Sequence, residues 1–510
     1  MMVALAIAAN GPVVAAQATS RFEQRRAHEP LRTAELGLWE TVGNTKTRAV
    51  HAAVLRTGKV LLVAGSGNDQ RNFDNGKFTS TVWDPRSNTY DNVVTPVDLF
   101  CGGHAFLPDG RLLIAGGTRR YEVLADKSPD GTKHEFFGLP DAVIFDPVTQ
   151  TYEKVASMTH SRWYPTLVTL ASGKVVALSG LDENGKLVSG WTEMFDPANN
   201  TWTDRTDLRR VWPTYPAMTL TAGGKLFYSG SNAGYGSLEV GRTPGLWDLS
   251  DNSFQSVNGL DDPTETETSM SVLLPPAQYQ RVALFGGGAV GDDDASTART
   301  GIVDLTAPTP SWTRGPDLAE AKRYPGTVIL PDDTVLVTGG GLGYRSHDSH
   351  TAQIFHPDTN TFTDAAGPRI GRNYHSEAVL LPDARVATFG SNPLKDNRFE
   401  TRVEVYSPPY LFRGPRPTIG GVPEQITVGS TIELTSDQEI NNVRLVRPSA
   451  VTHLTDTEQR SVAAPVIAQD GTKVTIEIPK NVNLLPSDWY MLFAVNSIGV
   501  PSLAAWVHIV

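Results

Sequence analysis

The chain is poor in cysteine: Cys101 is the only one in 510 residues. A single cysteine cannot form an intramolecular disulfide, which excludes a disulfide-stabilised scaffold. Clusters of basic residues are also lacking, since 44 Lys and Arg stand against 55 Asp and Glu, for a net charge of −11. Nucleic acids and anionic membrane surfaces are bound through clustered Lys and Arg that displace counterions. The composition therefore argues against both partners.

Long hydrophobic runs are missing beyond the N-terminus, so the sequence predicts no other membrane span. Val3 to Ala9 is apolar, and Ala16-Gln17-Ala18 offers a small-x-small cleavage pattern. The basic segment that usually begins a signal peptide is missing, and a disordered apolar N-terminus is the alternative. We expect a secreted or extracellular protein, or one anchored through its N-terminus. Residues 1–37 would be the signal or anchor segment and the lead-in to the fold.

A β-hairpin motif follows Cys101 and recurs along the chain. It consists of a strand-like run, the turn Pro108-Asp109-Gly110 and a second run that ends at Gly116-Gly117. An Asp-Gly turn between two such runs is a strong hairpin signal. Similar segments begin at Val50, Tyr164, Tyr215, Thr268, Tyr324 and Tyr374.

A second motif alternates with these hairpins, as in Trp83 to Tyr90 and Phe145 to Tyr152. Two hairpins per unit of about fifty residues are typical of kelch β-propellers. The predicted fold class is therefore all-β, with a seven-bladed kelch-type β-propeller over 38–407. Prolines from Ser407 to Pro417 mark a boundary. Short alternating runs then predict a C-terminal, immunoglobulin-like β-sandwich over 408–510.

The register of the hairpins places reactive side chains at one end of the propeller. Counting nine residues back from each turn position gives a set that we call the ring positions. They are Ala49, Cys101, Tyr164, Tyr215, Tyr324 and His375. Equivalent blades would bring them together around the central channel, with Tyr374 beside His375. A buried, inert cysteine and tyrosines that only pack are the structural alternatives.

Four motifs in this order resemble the copper radical oxidases, a family that includes galactose oxidase and glyoxal oxidase. They are Phe100-Cys101, Arg162-Trp163-Tyr164-Pro165, Arg372-Asn373-Tyr374-His375-Ser376 and Thr452-His453. The resemblance covers nearly the whole chain after about residue 38. The Arg-Trp-Tyr-Pro form resembles the glyoxal oxidase branch and its bacterial relatives more closely than galactose oxidase.

The resemblance implies one copper ion and a protein-derived radical cofactor. Cys101 and Tyr164 would be joined by a thioether, and Tyr164, Tyr374, His375 and His453 would bind the metal. His453 would have to reach the channel from the C-terminal domain. Two imidazoles and two phenols suit Cu(II), with zinc as the competing metal.

The expected reaction is the oxidation of small aldehydes or primary alcohols, glycan-linked ones included, with O2 reduced to H2O2. Tyr374 would act as the base, and the Tyr164 radical would remove a hydrogen atom from carbon. Further candidates surround these residues. By family analogy Trp163 and Trp212 are candidates to cover the radical, while Tyr215, Arg323 and Tyr324 are candidates to contact substrate.

Two other functions are consistent with parts of the sequence. A non-catalytic kelch propeller that binds a glycan or a protein explains the repeats, but not a cysteine in register with Tyr164. A propeller hydrolase with a divalent ion would need carboxylates, and the ring positions supply none.

Among the remaining histidines, His104 is expected to be structural. His51, His160 and His356 are expected at blade edges or turns, in contact with solvent.

Overall fold

The computed structural model describes residues 32–129, 131–234, 241–291, 294–392 and 398–510. Regular structure in these ranges is almost entirely β-strand. Helical segments are short: residues 32–36, Gln70–Asp74, and the 3-10 turns Ala125–Lys127, Ala277–Tyr279 and Pro409–Phe412. None of the described helices has the length and apolarity that a membrane span requires. Most of the predicted N-terminal segment, 1–37, lies outside the described residues.

Five sheets of the described chain contain four antiparallel strands that pair in sequence order. The first two consist of Gly103–Phe106, Leu112–Ala115, Ala142–Asp146 and Thr151–Lys154, and of Thr166–Thr169, Val175–Leu178, Glu193–Asp196 and Thr201–Asp204. The next two consist of Met218–Leu220, Leu226–Tyr228, Gly245–Trp247 and Phe254–Ser256, and of Met270–Leu273, Arg281–Phe285, Thr300–Asp304 and Trp312–Arg314. The fifth consists of Gly326–Ile329, Val335–Thr338, Ala352–His356 and Thr361–Ala365.

Two further sheets join distant parts of the chain. Strand Leu38–Asn44 pairs antiparallel with Arg402–Ser407, beside Val386–Gly390 and Ser376–Leu380, so the first strand completes the last sheet. The other sheet contains His51–Val54, Val60–Gly65, Thr79–Asp84 and Thr89–Val94, extended by Ala450–Thr452 and Thr455–Asp456. The first strands of neighbouring sheets contact one another, as in a propeller.

The turn chemistry explains the hairpins. Gly58, Gly110 and Gly173 occupy equivalent turn positions with φ between +78° and +80°, which glycine adopts without a steric penalty. Asp333 and Ala384 hold the same position in two other hairpins, at φ of +66° and +64°. The backbone therefore repeats even where the glycine is replaced, which supports the register used to align the ring positions.

The C-terminal residues form two sheets of their own. One contains Ile419–Gly420, Thr431–Ser436, Lys473–Glu477 and Val466–Asp470, and the other Gln425–Ile426, Ala505–Ile509, Asp488–Asn496, Ile440–Arg447 and Arg460–Ala464. Two small hairpin sheets, Thr118–Arg120 with Phe137–Gly138 and Gly341–Gly343 with Ser346–Asp348, lie between strands of the propeller sheets.

One hairpin of the C-terminal part enters the centre of the propeller. Ala450–Thr452 pairs antiparallel with His51–Val54, placing Thr452 opposite His51. The same strand contacts Gly103–Phe106 and Ser376–Leu380, the inner strands of two other sheets. The structure thus combines a propeller with a C-terminal β domain that reaches its axis. The count of seven blades, the domain boundaries and the immunoglobulin-like description stay predictions.

Candidate metal centre

The ring positions share an unusual backbone conformation. All but Ala49 have φ in the left-handed region, which non-glycine residues rarely adopt and which is often found at functional sites. The values are +62° at Cys101, +64° at Tyr164, +45° at Tyr215, +54° at Tyr324 and +55° at His375. The bend explains how the adjacent Tyr374 and His375 can both face the site, with ring centroids 3.7 Å apart.

Backbone hydrogen bonds connect neighbouring ring positions. The Tyr164 N–H donates to the Cys101 carbonyl at 2.9 Å, and the Tyr215 N–H donates to the Tyr164 carbonyl at 2.9 Å. On the other side of the ring, the Tyr324 N–H donates to the Thr268 carbonyl at 2.9 Å. Consecutive sheets therefore present these residues side by side at one end of the channel.

His453 reaches this ring on the hairpin from the C-terminal domain. Its Nε2 lies 2.8 Å from the Tyr164 hydroxyl and 3.9 Å from Cys101 Sγ. The Tyr164 hydroxyl is also hydrogen-bonded to the Tyr374 hydroxyl. One sulfur, two phenol oxygens and an imidazole nitrogen thus converge from four distant segments.

His375 completes the cluster. It is 1% exposed, its ring centroid lies 4.5 Å from that of His453, and neither of its nitrogens has a hydrogen-bond partner among the described residues. Ligand atoms of Cys101, His375 and His453 all lie within 4.8 Å of one another. Buried imidazole nitrogens without partners are unfavourable, and a metal ion would satisfy them.

The protonation states suit metal binding. Burial lowers the pKa of His375 and that of His453 well below the ordinary histidine value, so both imidazoles are neutral and can donate a lone pair. Burial raises the pKa of the Cys101 thiol and that of Tyr374, while the Arg345 charge opposes the rise at Tyr374. The two acidic groups would lose their protons on binding a metal or on oxidation, which couples metal binding to proton release.

Thr452 orients the His453 ring. Its Oγ1 lies 2.7 Å from His453 Nδ1 and donates to the Val50 carbonyl at 3.1 Å. Because the hydroxyl proton goes to Val50, the threonine oxygen accepts the Nδ1 proton of the imidazole. Nε2 then carries the lone pair, directed towards Tyr164 and Cys101.

Aromatic side chains enclose Tyr164. The Trp163 indole stacks on the Tyr164 ring, with centroids 3.7 Å apart at 20°, and Phe136 stacks on the opposite side of the indole at 4.4 Å. The Tyr215 ring lies 4.4 Å from Tyr164, and its hydroxyl donates to the Gly102 carbonyl at 2.7 Å. The Tyr324 ring lies 5.3 Å from Tyr374.

Three sequence-based expectations are corrected by these positions. Trp212 packs in a core cluster against Trp247 and Tyr228, so it does not cover the Tyr164 ring. Arg323 is fully buried and bound to Glu267 at 3.2 Å, which keeps its guanidinium away from a substrate. His51 is 2% exposed rather than solvated, because the C-terminal hairpin covers its strand.

The sequence analysis missed the place of Thr268 among the ring positions, and it missed Arg345 altogether. Thr268, at φ of +63°, occupies the ring position of the sheet whose longer turn prevented alignment. Arg345 lies over the Tyr374 ring, with its central guanidinium carbon 3.4 Å from the centroid. The glycine-rich run Gly339 to Gly343, which follows a strand end near the ring, was the available signal for a functional loop there.

Comparison with known proteins identifies relatives over most of the chain. The family model named Galactose oxidase-like, Early set domain matches residues 416–509. Galactose oxidase from Gibberella zeae is 24% identical over 507 residues, covering 93% of this chain and 71% of the relative. Aldehyde oxidase GLOX from Vitis pseudoreticulata is 24% identical over 540 residues, covering 93% and 97%. The family model and these relatives support the copper radical oxidase family for this chain.

A solved structure also resembles this chain over most of its length. A solved structure described as a novel fungal alcohol oxidase with catalytic diversity among the AA5 family, in complex with copper, superposes with a TM-score of 0.77. The two chains are 23% identical, and the match covers 93% of this chain and 100% of the other, so they share the fold. The named sequence relatives are oxidases, which supports an oxidoreductase over a non-catalytic propeller.

Proposed function

We propose that this oxidase converts small aldehydes or primary alcohols, with O2 reduced to H2O2. The observation that carries the proposal is the convergence of Cys101, Tyr164, Tyr374, His375 and His453 at one end of the channel. These are the residues at which the sequence matches the motifs of the family. The relatives named galactose oxidase and aldehyde oxidase GLOX support the substrate classes.

Tyr164, Tyr374, His375 and His453 would hold one copper ion. Two nitrogen and two oxygen donors suit Cu(II), and the partnerless nitrogens of His375 fit a metal ligand. Hydrogen bonds now connect the hydroxyl groups of Tyr164 and Tyr374 and Nε2 of His453. A bound cation would replace these protons and accept the lone pairs of the same oxygen and nitrogen atoms. When bound, copper would supply a one-electron acceptor and a coordination position for the substrate oxygen.

Cys101 and Tyr164 would form the second one-electron acceptor. We propose a thioether between Cys101 Sγ and a ring carbon of Tyr164. The thiol hydrogen and one ring hydrogen leave as two protons and two electrons, and O2 takes both to become H2O2. The buried, neutral thiol in contact with Tyr164 supports this bond, because no other cysteine exists to compete for Cys101.

Side chains of this chain would perform the proton transfer and the hydrogen-atom transfer of the reaction. Tyr374 as phenolate takes the proton from the substrate hydroxyl, or from the hydrate of an aldehyde. The oxidised Tyr164 takes a hydrogen atom from the adjacent carbon. Trp163, stacked on Tyr164, excludes water from the radical. An alcohol thus loses two electrons and two protons, which O2 receives as H2O2.

We also propose the finer organisation of the chain. Seven sheets act as blades over 38–407, and 408–510 forms an immunoglobulin-like domain. The family model over 416–509 supports a separate C-terminal unit. Export with residues 1–37 as signal or anchor segment is proposed from the sequence pattern alone.

A peroxidase-coupled assay for H2O2 across small aldehydes and primary alcohols tests the function. The copper-loaded protein should produce H2O2, while the zinc-loaded protein and the Cys101→Ser and Tyr164→Phe variants should produce almost none. H2O2 at the same rate from the zinc form, or no H2O2 from copper-loaded protein with any substrate, would refute the proposal.

A further inference from the structure

Tyr121 and Asp98 are buried groups for which the proposed chemistry gives no role. Tyr121 is 7% exposed, and its hydroxyl lies 2.7 Å from the hydroxyl of Ser66. Asp98 is 2% exposed, and its Oδ1 accepts hydrogen bonds from the Ser66 N–H at 2.7 Å and the Phe100 N–H at 3.1 Å. Ser66 therefore contacts both a phenol and a carboxylate.

The Asp98 carboxylate has no cation to balance it. Within the described part of the chain it forms no ion pair, and its Oδ2 is buried without a hydrogen-bond partner. Burial raises the pKa of Asp98 to about 7, while hydrogen bonds from Ser66 and Phe100 oppose the rise. Another buried carboxylate, Glu193, is instead paired with Arg162 at 2.9 Å. Because an unpaired buried charge is unfavourable, Asp98 is suited to accept a proton.

A row of aromatic rings leads from Tyr164 past Tyr121 to the surface. The Trp163 centroid lies 3.7 Å from that of Tyr164, and the Phe136 centroid lies 4.4 Å from that of Trp163. The Tyr121 centroid lies 5.0 Å from that of Phe136, and the Phe73 centroid lies 5.3 Å from that of Tyr121. Phe73 is partly exposed to solvent. We call these five residues the aromatic row.

Tyrosine and tryptophan lose one electron far more readily than phenylalanine does. Trp163 and Tyr121 are therefore the members of the aromatic row that can pass an electron to or from Tyr164, with the Phe136 ring as the contact between them. A phenol that loses an electron becomes strongly acidic, so oxidation of a buried tyrosine requires a nearby proton acceptor. Asp98, which Tyr121 reaches through the Ser66 hydroxyl, is such an acceptor.

We propose that Tyr121 is a second redox-active tyrosine, which transfers single electrons from Tyr164 to one-electron oxidants outside the protein, with Asp98 as its proton acceptor. The inference rests on the proposed oxidase function and adds a route for electrons to it. Turnover removes electrons from the substrate in pairs. If Tyr164 gains a single electron outside turnover, the site is one electron away from its active state, and the relay restores it.

The electrons and protons of this step balance. Tyr121 loses one electron to the external oxidant, and its hydroxyl proton moves through Ser66 to Asp98. The Tyr121 radical then takes one electron from Tyr164 through Trp163, and the proton returns from Asp98. In sum, Tyr164 loses one electron and the oxidant gains one.

The test mixes the Cu(II)-loaded protein, with Tyr164 not yet oxidised, with hexachloroiridate(IV), an outer-sphere one-electron oxidant. Loss of the oxidant's colour in a stopped-flow instrument gives the rate constant, and Tyr164→Phe gives the background from other residues. Tyr121→Phe and Asp98→Asn should each lower the rate constant at least about tenfold. Tyr152→Phe is the matched control and should leave it unchanged, because the Tyr152 hydroxyl also donates to a serine, Ser80, at 3.0 Å but lies outside the aromatic row.

Two further measurements separate a relay from a structural role of Tyr121. Oxidation of the wild-type protein should be slower in D2O than in H2O, because a proton moves with the electron, whereas Tyr121→Phe should react equally fast in both. The reduction potential of Tyr164, measured by redox titration, should be the same in both proteins, because Phe136 and Trp163 separate the two tyrosine rings.

The results that would overturn the relay differ from those that would overturn the oxidase function. An unchanged rate constant in Tyr121→Phe, or an equal loss in Tyr152→Phe, would overturn the relay alone, provided that the wild-type protein still produces H2O2. If the wild-type protein consumed the oxidant no faster than Tyr164→Phe, Tyr164 would not be redox-active. That result would overturn the proposed oxidase function and this inference with it.

Discussion

Nε2 of His453 lies 2.8 Å from the hydroxyl of Tyr164, although the two residues are 289 positions apart. This contact joins the C-terminal domain to the propeller at the proposed metal ligands. It exists because the hairpin that carries His453 pairs with the inner strand His51–Val54.

The first prediction concerns metal affinity. His453→Gln and His375→Gln should each weaken copper binding, because each variant removes an imidazole ligand. The loss should exceed the roughly 10- to 100-fold that follows when a residue hydrogen-bonded to a ligand is removed. His104→Gln is the matched control, since His104 is also buried, at 5% exposure, but lies outside the ligand set. Competition with a chelator of known affinity measures all three. Equal losses in the three variants would contradict the assignment of ligands.

Thr452 gives a second prediction, on the orientation of a ligand. Thr452→Val keeps the shape of the side chain but removes the acceptor of the His453 Nδ1 proton, so copper affinity should fall about 10- to 100-fold. Thr457→Val is the control, because the Thr457 hydroxyl donates to the Leu167 carbonyl, at 2.8 Å, instead of to a ligand. Chelator competition and the EPR spectrum of the copper-loaded protein provide the measurement. An unchanged copper affinity in Thr452→Val would exclude the positioning role.

Substitution of Trp163 should affect the oxidised state of Tyr164, whereas substitution of Trp212 should affect the stability of the fold. Trp163→Phe removes the indole stacked on Tyr164 and should shorten the lifetime of the oxidised protein, followed by its optical spectrum after a mild oxidant. Trp212→Phe should instead lower the free energy of unfolding by about 1–3 kcal/mol, through a cavity in the propeller core. If the oxidised protein had a shorter lifetime in Trp212→Phe but an unchanged lifetime in Trp163→Phe, the assignment of Trp163 as the residue that covers Tyr164 would be wrong.

A buried ion cluster should hold the hairpin of His453 in place. Arg447 forms ion pairs with Glu458 at 2.6 Å and Asp488 at 3.0 Å, all three side chains being fully buried. Arg447→Met leaves two buried carboxylates without their cation and should lower the free energy of unfolding by about 3–5 kcal/mol. The control is Lys473→Met, whose pair with Glu433 is 57% exposed on both sides and should contribute about 0–1 kcal/mol. Urea denaturation measures the free energy of unfolding of both variants. Similar losses in Arg447→Met and Lys473→Met would contradict the larger contribution expected of the buried cluster.

The repeats made much of the propeller predictable from the sequence. Turn residues recur with the hairpins, so counting back from Gly110 or Gly173 leads to Cys101 and Tyr164, which the structure places beside each other. Local pattern was sufficient here because equivalent positions in a repeat occupy equivalent places in space.

Contacts between distant segments were beyond that reasoning. The position of His453 followed only from the family resemblance, and His51 was assigned to solvent because nothing near it in sequence shows that Thr452 will cover it. The burial of Arg323 against Glu267 and the position of Arg345 over the Tyr374 ring were also missed, because tertiary packing decides both. Such choices leave no periodic signal in the sequence.

The bond between Cys101 and Tyr164 is the feature on which the oxidase mechanism depends most directly. Peptide mapping by mass spectrometry after exposure to copper and O2 should find the peptides containing Cys101 and Tyr164 joined, with the loss of two hydrogen atoms. The Tyr164→Phe variant should show no joined peptides. If Cys101 in the copper-treated wild-type protein remains a free thiol that can be alkylated, the radical mechanism is contradicted.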